Sequence, residues 1–388
     1  MKLVIIGVGQ AGGKILDRLL EYDTTRQTNF IQHAVAINTA KTDLLGLSHV
    51  PETNKLLVGQ TTVKGHGTGT NPTVGERCAR EHIDEIQSAI DQVATTDVDA
   101  FLVIAGLGGG TGSGGAPVIA ERVKELYIEP VYGLGILPAT EEGGIYNRNA
   151  ADSLQKFVAQ TDNVLLFDNG AFATGGESLA EGFAEINEEI TTRFGTLFSA
   201  GEIDALGDTV AESVVDSSEI MNTLGEDGLT SIGYASEGVD LSNNNGLLSR
   251  FKRNNEPDIA NAGDHTNRIT SLVRRATLGT LTLPCNIDST SRALLIVSGP
   301  PDALNRKGIE RARKWLEETT YCPEVRAGDY PLPNEDRVAV LVVLSGVTDV
   351  PRIENVQELA TDAAAAKQER ANQAKQELQD LIEYGNDE

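Results

Sequence analysis

The segment GLGGGTGSGG, residues 106–115, carries seven glycines in ten positions. It lies between an apolar run typical of a buried strand, FLVIA at 101–105, and a helical stretch, APVIAERVKEL at 116–126. Glycine permits positive φ and lets successive backbone amides converge on one anion. A flexible linker would not be held between a strand and a helix. The segment therefore predicts a phosphate-binding loop, to which Thr111 and Ser113 add hydroxyl donors.

A second glycine loop, GVGQAGGK at 7–14, follows the first apolar run and opens a helix. It matches the pattern GxGxxG, in which the helix N-terminus holds a phosphate. A dinucleotide-dependent oxidoreductase begins in the same way and stays open as an alternative, but the next strand ends in Asn38 instead of the acid that such enzymes use for the ribose. The P-loop pattern does not fit, because Val8 and Ile15 stand at its glycine and Ser/Thr positions. Two phosphate loops on one sheet predict a polyphosphate ligand.

Strands and helices alternate from residue 1 to about 170, which is typical of a parallel sheet with helices on both faces. A long amphipathic stretch, 177–194, follows, and then a second set of apolar runs predicts a mixed α/β unit. We predict four parts: a ligand-binding domain at 1–176, a connecting helix at 177–204, a second domain at 205–350 and a helical tail at 351–388. The Asn-rich segment 240–265 predicts a long mobile loop with a contact function.

Acidic residues outnumber basic ones by 57 to 32, which gives a formal charge of -25. This balance disfavours nucleic acid as a partner. Molar salt would screen the self-repulsion, so the composition predicts a salt-rich archaeal cytoplasm. No apolar run reaches the roughly 20 residues of a membrane span. The three cysteines lack a CxxC spacing and the five histidines lack HExxH, which argues against disulfides and zinc.

The segments GGGTGSG at 108–114 and GQAGGK at 9–14 resemble two phosphate loops of the tubulin/FtsZ superfamily. A third segment, KGHGTGTNPTVGE at 64–76, resembles the FtsZ loop that senses the γ-phosphate. Within the superfamily, the chain is most similar to the archaeal CetZ branch. The resemblance implies an α/β fold with a Rossmann-like parallel-sheet GTPase domain, a long connecting helix and a mixed-sheet C-terminal domain. It also implies GTP or GDP as ligand, with Mg²⁺.

The resemblance carries a set of nucleotide-binding residues onto this sequence. Glu142 would bond the ribose hydroxyls, Asn169 and Asn187 would read the guanine, and Phe183 would pack on its ring. A loop acid, a turn asparagine and a plain core phenylalanine are the alternatives for these positions. The predicted nucleotide-binding residues are Gln10, Ala11, Gly12, Gly13, Lys14, Gly109, Gly110, Thr111, Gly112, Glu142, Asn169 and Asn187.

The segment AESVVDSSEI, 211–220, resembles the family's synergy loop, whose acids act on the nucleotide of the neighbouring subunit. Asp216 and Glu219 are therefore predicted to be catalytic, in an assembly-stimulated GTPase that stacks head to tail into protofilaments. Helix capping is the alternative for both acids. A heterologous contact of this kind need not close and so produces filaments.

Three departures from FtsZ bear on catalysis. Val214 replaces an asparagine, Ala40 stands at the place of an aspartate that could hold the metal, and Tyr146 replaces an arginine that Arg148 could substitute. A nucleotide-locked filament with little turnover is thus an alternative. The resemblance implies control of cell shape, with a division-ring role as the rival. It further allows lateral association, membrane or shape-control adaptors, and cytoplasmic filaments at or near the inner membrane.

Overall fold

The strands of the protein form a single sheet. A computed structural model describes residues 1–173, 179–202, 215–225, 228–239 and 259–384. The strands in these ranges are β1 (Leu3–Val8), β2 (Ile31–Asn38), β3 (Lys55–Leu57), β4 (Ala100–Gly106), β5 (Val131–Leu137), β6 (Asn163–Asp168), β7 (Leu229–Gly238), β8 (Arg292–Gly299), β9 (Glu324–Pro331) and β10 (Arg337–Val347). Their order across the sheet is β3-β2-β1-β4-β5-β6-β7-β10-β8-β9.

The direction of the strands divides the sheet into two parts. From β3 to β6 all neighbours are parallel, as the alternating sequence pattern predicts. On the other side, β10 is antiparallel to both β7 and β8, whereas β8 and β9 are parallel. The predicted combination of a parallel-sheet domain and a mixed-sheet domain is confirmed. The C-terminal ends of β1 to β6 all lie at one edge of the sheet, where ligands of such folds bind.

A narrow seam joins the two parts. β6 and β7 pair only at Val164–Leu229 and Leu165–Thr230. Beside the seam, a buried polar cluster links three strands, because Thr230 Oγ1 lies 2.7 Å from Asn163 Oδ1 and 2.9 Å from Ser345 Oγ. Buried polar groups of this kind are favourable only when they are hydrogen-bonded, so the cluster specifies how β6, β7 and β10 align.

Helices cover both faces of the sheet. They are α1 (Gly9–Arg26), α2 (Lys41–Leu45), α3 (Gln60–Val63), α4 (Pro72–Glu81), α5 (Ile83–Ile90), α6 (Thr111–Leu126), α7 (Gly144–Ala159), α8 (Asn169–Phe172), α9 (Leu179–Ala200), α10 (Ser217–Thr223), α11 (Ile259–Leu278), α12 (Arg306–Thr320) and α13 (Pro351–Tyr384). Alternate residues of β1 pack against α6 on one face and against α1 and α9 on the other. Burial on both faces explains why the central strands are apolar without interruption. No helix in the described ranges is both long and apolar enough to cross a membrane.

The predicted elements agree with the structure except at a few places. α9 corresponds to the predicted connecting helix, and α13 begins at Pro351, the first residue of the predicted helical tail. The prediction of a loop at 240–265 is wrong at its C-terminal end. Residues 259–265 instead form the first turns of α11, whose later residues Ile269 and Leu272 are buried. The rest of that loop, 240–258, and the predicted boundaries at 176 and 204 lie outside the described residues.

Candidate functional site

Three loops meet at the C-terminal edge of the parallel strands. Gly9 has a φ of 74°, a conformation that side chains rarely adopt, and a Cβ there would lie 2.9 Å from Gly112 N. A Cβ on Gly110 would lie 2.0 Å from Thr68 Oγ1, in the third loop. Only glycine at positions 9 and 110 therefore lets the three loops approach one another so closely.

Two helices, α1 and α6, begin at this meeting point. Their preceding residues, Val8 and Gly110, make no side-chain cap hydrogen bond. The first amides of a helix have no partner within the helix, and the helix dipole adds positive potential there. The two N-termini are therefore suited to hold a phosphate group each, as the sequence predicts.

Side-chain hydrogen bonds tie the loops at 64–76 and 106–115 to each other and link the latter to Thr39, which follows β2. Thr39 Oγ1 lies 2.7 Å from Thr111 Oγ1. Asn149 Nδ2, on α7, donates to Thr70 O and to Gly108 O, each at 3.0 Å, and the side chain is buried. Nothing in the sequence around Asn149 indicates that it belongs to the site, because the partners of Asn149 are backbone carbonyls of loops that are remote along the chain. A buried asparagine bonded to two loops makes their spacing rigid.

A second group of polar side chains lies at the ends of β5 and β6. Glu142 Oε1 accepts from Ala139 N at 2.8 Å and from Asn169 Nδ2 at 3.3 Å. Asn169 is buried, and its Oδ1 has no hydrogen-bond partner among the residues that the structure describes. A buried acceptor without a partner is unfavourable, and a donor on a ligand could satisfy it. Asn187 and Phe183, one turn apart on α9, line the same cavity, and Phe183 is largely exposed.

The loops and these side chains enclose one cavity of about 520 Å³, within the range typical of ligand sites. Two of the predicted nucleotide-binding residues do not line it, and neither does Ser113, whose hydroxyl donates to Gly109 O instead. Gly12 is buried beneath, where a Cβ would lie 2.2 Å from Ile104 O of β4, and Gly13 faces Leu47. These two glycines allow α1 to pack closely and do not face the cavity. The predicted residues that do line it are Gln10, Ala11, Lys14, Gly109, Gly110, Thr111, Gly112, Glu142, Asn169 and Asn187.

Few charged groups line the cavity. Lys14 is the one lysine or arginine among its described lining residues. Tyr146 lines the cavity, whereas Arg148 does not and instead lies 4.0 Å from Asp152. A phosphate bound here would rely on backbone amides more than on cations.

The acidic lining of the cavity suits a magnesium ion carried by a nucleotide. Ala40 lines the cavity at the position where FtsZ has an aspartate, and Asp43 lines it three residues later. Asn38 Nδ2 donates to Asp43 Oδ2 at 3.1 Å, which orients the carboxylate. Mg²⁺ prefers oxygen ligands and usually binds through one or two carboxylates, water and substrate phosphates. Asp43 and the Thr42 hydroxyl are the residues that fit this role.

Asp216 and Glu219 lie at the opposite edge of the sheet from the cavity. A Cβ on Gly201 would lie 3.0 Å from both Ser217 N and Met1 N, which places the start of α10 beside the N-terminal end of β1. Neither acid can therefore reach a ligand in the cavity of its own subunit. Val214, the third residue predicted to matter in this segment, lies outside the described residues.

The two acids differ in their surroundings. Asp216 caps α10: its Oδ1 accepts from Ser218 Oγ at 2.6 Å and from Glu219 N at 2.9 Å, and these hydrogen bonds lower its pKa. Burial, and then the charge of Asp216, raise the pKa of Glu219. Within the described part of the chain, the Glu219 carboxylate forms no hydrogen bond or ion pair. Capping therefore engages Oδ1 of Asp216, whereas no group in the described ranges is hydrogen-bonded to the Glu219 carboxylate.

The chain matches two protein families over nearly its whole length. The GTPase domain of the tubulin/FtsZ family matches residues 2–175, and the C-terminal domain of tubulin-like CetZ matches residues 176–362. The tubulin-like protein CetZ1 of Haloferax volcanii is 58% identical over 366 residues, which are 94% of this chain and 92% of that protein.

Two solved structures from Haloferax volcanii are similar throughout. The GDP-bound monomer of CetZ1 superposes with a TM-score of 0.83 at 53% identity, over 94% of this chain and 100% of that one. The GTPγS-bound protofilament of CetZ2 gives a TM-score of 0.83 at 40% identity, over 95% of this chain and 100% of that one.

Proposed function

Since this chain belongs to the tubulin/FtsZ family, with the C-terminal domain of its tubulin-like CetZ members, we propose that it is a GTPase that assembles head to tail into filaments. The cavity binds GTP, and the next subunit supplies the acid that completes hydrolysis. The observation that carries the nucleotide assignment is the meeting of two uncapped helix N-termini with a pair of asparagines in one cavity.

The two ends of the cavity bind different parts of the nucleotide. The amides that begin α1 and α6 take the phosphates, with Gln10, Lys14 and Thr111 beside them, and the Glu142 carboxylate accepts from the ribose hydroxyls. The unpartnered Asn169 Oδ1 and the amide of Asn187 accept from guanine N–H groups, while the exposed Phe183 ring packs on the base. Adenine has no donors at these places.

Competition binding tests the base assignment. We expect GDP, and not ATP, to displace labelled GTP, because a site built on buried hydrogen bonds rejects an analogue with reversed donors. Asn169→Ala should lose most of this preference, whereas Asn286→Ala, which alters an exposed asparagine far from the cavity, should keep it. Displacement by ATP as effective as that by GDP would refute the assignment.

The exposed apolar side chains support the head-to-tail arrangement. Among the described residues, the large exposed hydrophobics lie at the two ends of the strands and not on the sides. Ile145, Phe183 and Leu278 are at the cavity end, with Leu45 beside it on α2, and Leu126, Ile128 and Tyr321 are at the opposite end. Exposed apolar groups of this kind mark interaction sites, and stacking cavity end on opposite end would bury both sets.

Sedimentation tests this interface. Ile128 is 99% and Tyr321 78% exposed, and full burial of such a side chain contributes about 1.5–3 kcal/mol, so Ile128→Ser or Tyr321→Ser should raise the critical concentration by roughly tenfold or more. Glu318→Ser, an exposed change on α12, is the matched control. An unchanged critical concentration in both apolar variants would exclude this end as the interface.

The positions of the two acids determine how stacking would complete the site of GTP hydrolysis. They lie at the end opposite the cavity, so stacking brings Glu219 of one subunit to the γ-phosphate of another, where its carboxylate orients the attacking water. Asp43 and Thr42 would hold a Mg²⁺ ion carried by the nucleotide, which would offset the negative charge of the phosphates. Phosphate release per molecule should therefore rise above a critical protein concentration and should need high salt, which screens the net charge of -25.

A filament locked to its nucleotide is the second candidate, and one observation favours it. Asp216 caps α10, and Ala40 supplies no side-chain metal ligand at the position where FtsZ has an aspartate. Phosphate release at saturating protein concentration separates the candidates: assembly without turnover supports the locked filament.

We propose control of cell shape as the cellular role, with filaments in the cytoplasm near the inner membrane; a division ring is the rival. This proposal rests on the similarity to CetZ proteins, and it leaves the adaptors and any lateral association to experiment. Imaging a tagged copy in growing cells distinguishes the roles. Signal confined to a ring at midcell, with unchanged shape in a deletion strain, would favour division.

A further inference from the structure

The first turn of the C-terminal helix α13 reaches the loops at the base-binding end of the cavity. Arg352 Nε donates to Asp168 Oδ2 at 3.0 Å, and its Nη2 donates to Pro138 O at 2.6 Å. The third guanidinium nitrogen, Nη1, donates to Asn355 Oδ1 at 2.7 Å. The side chains of Arg352 and Asp168 are 9% and 4% exposed, so this ion pair is almost completely buried.

Each loop that Arg352 holds carries a residue proposed to bind the nucleoside. Asp168 precedes Asn169 and caps α8, since its Oδ1 accepts from Gly170 N at 3.2 Å. Pro138 precedes Ala139, whose N donates to Glu142 Oε1, and the same oxygen accepts from Asn169. The contacts thus form a closed ring that runs from Arg352 through both loops and back.

The ionised state of the Asp168 carboxyl depends on Arg352. Burial raises the pKa of the Asp168 carboxyl, and the charge of Arg352 opposes that shift. Without the guanidinium, a buried carboxylate would lack its counter-charge and would have to move or take up a proton. Either change alters the hydrogen bond that fixes the first turn of α8, and with it the position of Asn169. A planar guanidinium can hold both loops at once, which a lysine ammonium on one point of contact cannot.

We propose that Arg352 is a positioning residue for guanine recognition, through which the C-terminal helix holds the base and ribose loops in register. The inference rests on the proposed function, since it assumes that Asn169 reads the base. It assigns to α13 a part in nucleotide selectivity in addition to its packing along α7.

Binding of GDP and of inosine diphosphate, which lacks the 2-amino group of guanine, tests the proposal. We expect the wild-type protein to prefer GDP by about tenfold, the value of one hydrogen bond. Arg352→Met should reduce the preference to within about threefold, and Arg352→Lys, which keeps the charge but not the second contact, should be intermediate. Val356→Ala, which removes a buried contact of the same helix without touching either loop, is the control: it should lower the melting temperature and keep the preference.

Each outcome of these binding measurements either supports or overturns a specific part of the proposal. A preference in Arg352→Met and Arg352→Lys equal to that of Val356→Ala means that the arginine only fastens the helix, and it overturns the proposal. Wild-type protein that binds GDP but does not distinguish it from inosine diphosphate overturns base reading by Asn169 and this inference with it. Wild-type protein that binds neither ligand refutes the proposed function itself.

Discussion

Replacing Glu219 with glutamine separates catalysis from folding. The half-buried carboxylate has no hydrogen bond or ion pair within the described part of the chain, and glutamine has nearly the same size. The change should therefore alter the free energy of unfolding by no more than about 0.5 kcal/mol, as for a substitution that breaks no contact. Loss of a water-orienting group costs on the order of 10²–10⁴ in rate, which corresponds to about 3–5 kcal/mol in the barrier to hydrolysis.

The assay measures three quantities on each protein in molar KCl: melting temperature, GTP affinity and phosphate release above the critical concentration. Glu219→Gln should melt at the wild-type temperature or slightly above it, should bind GTP as the wild type does, should assemble, and should release phosphate at least a hundredfold more slowly. Its filaments should persist, because GTP is not consumed. Glu318→Gln, an exposed change on α12, is the control for charge alone.

A mixing experiment tests that the acid acts across the interface. Glu219→Gln subunits still carry an intact cavity, so a small fraction of wild-type subunits should restore hydrolysis at the cavities that they cover. Turnover of Glu219→Gln within about threefold of wild type would remove the acid from the mechanism, since that ratio is below the effect of any water-orienting group. A lowered melting temperature with normal turnover would show that the residue only supports α10.

Three further outcomes are expected. Asp216→Ala should lower the free energy of unfolding by about 1 kcal/mol, while Asp216→Asn, also a good helix cap, should melt like wild type; equal losses in a denaturant titration would contradict the capping role. The pKa of Glu219 is raised above the 4.5 of an ordinary glutamate, so turnover should fall on acidification at a pH above 4.5, and the pH–rate profile of Glu219→Gln should lack this acidic decline. The raised pKa also means that the ionised Glu219 carboxylate opposes folding at pH values above its pKa. Glu219→Gln should therefore be relatively more stable at neutral pH. Asn149→Ala should weaken GTP binding by roughly tenfold, because one buried amide holds two phosphate loops, and unchanged affinity in a titration would limit Asn149 to packing.

The sequence predicts the parallel half of the fold well, for a physical reason. The apolar run VYGLGIL at 131–137 coincides with β5, because every residue in it is buried and no charged residue interrupts it. The sequence does not indicate β9, because it is an edge strand in which only Gly328 and Tyr330 are buried and the charged residues Glu324, Arg326 and Asp329 interrupt the apolar pattern. An edge strand needs less apolar surface, so its composition resembles that of a loop.

The candidate site also contains some residues that the sequence indicates and others that it does not. The glycine loops are evident from composition, and the polar residues that line the cavity, such as Glu142, Asn169 and Asn187, were predicted from the resemblance to the tubulin/FtsZ superfamily. Asn149 and Arg352 could not, because their partners are backbone carbonyls and a carboxylate that lie far away in the chain, Asp168 being 184 positions from Arg352. Only the folded topology brings such groups together. The predicted roles of the residues in the cavity stay predictions until the binding experiments are made.

The seam between β6 and β7 has a mechanical consequence. In a stack that bears tension, force enters a subunit at one end and leaves at the other, and the two halves of the sheet must share it. Strands that pair only at Val164–Leu229 and Leu165–Thr230 resist shear with few hydrogen bonds, so the seam is a compliant joint between the two halves of the sheet. The buried cluster of Asn163, Thr230 and Ser345 gives that joint a preferred angle, since tilting the halves would strain these hydrogen bonds. The stiffness of a filament of such subunits would therefore depend on three small polar side chains that touch neither the nucleotide nor the next subunit.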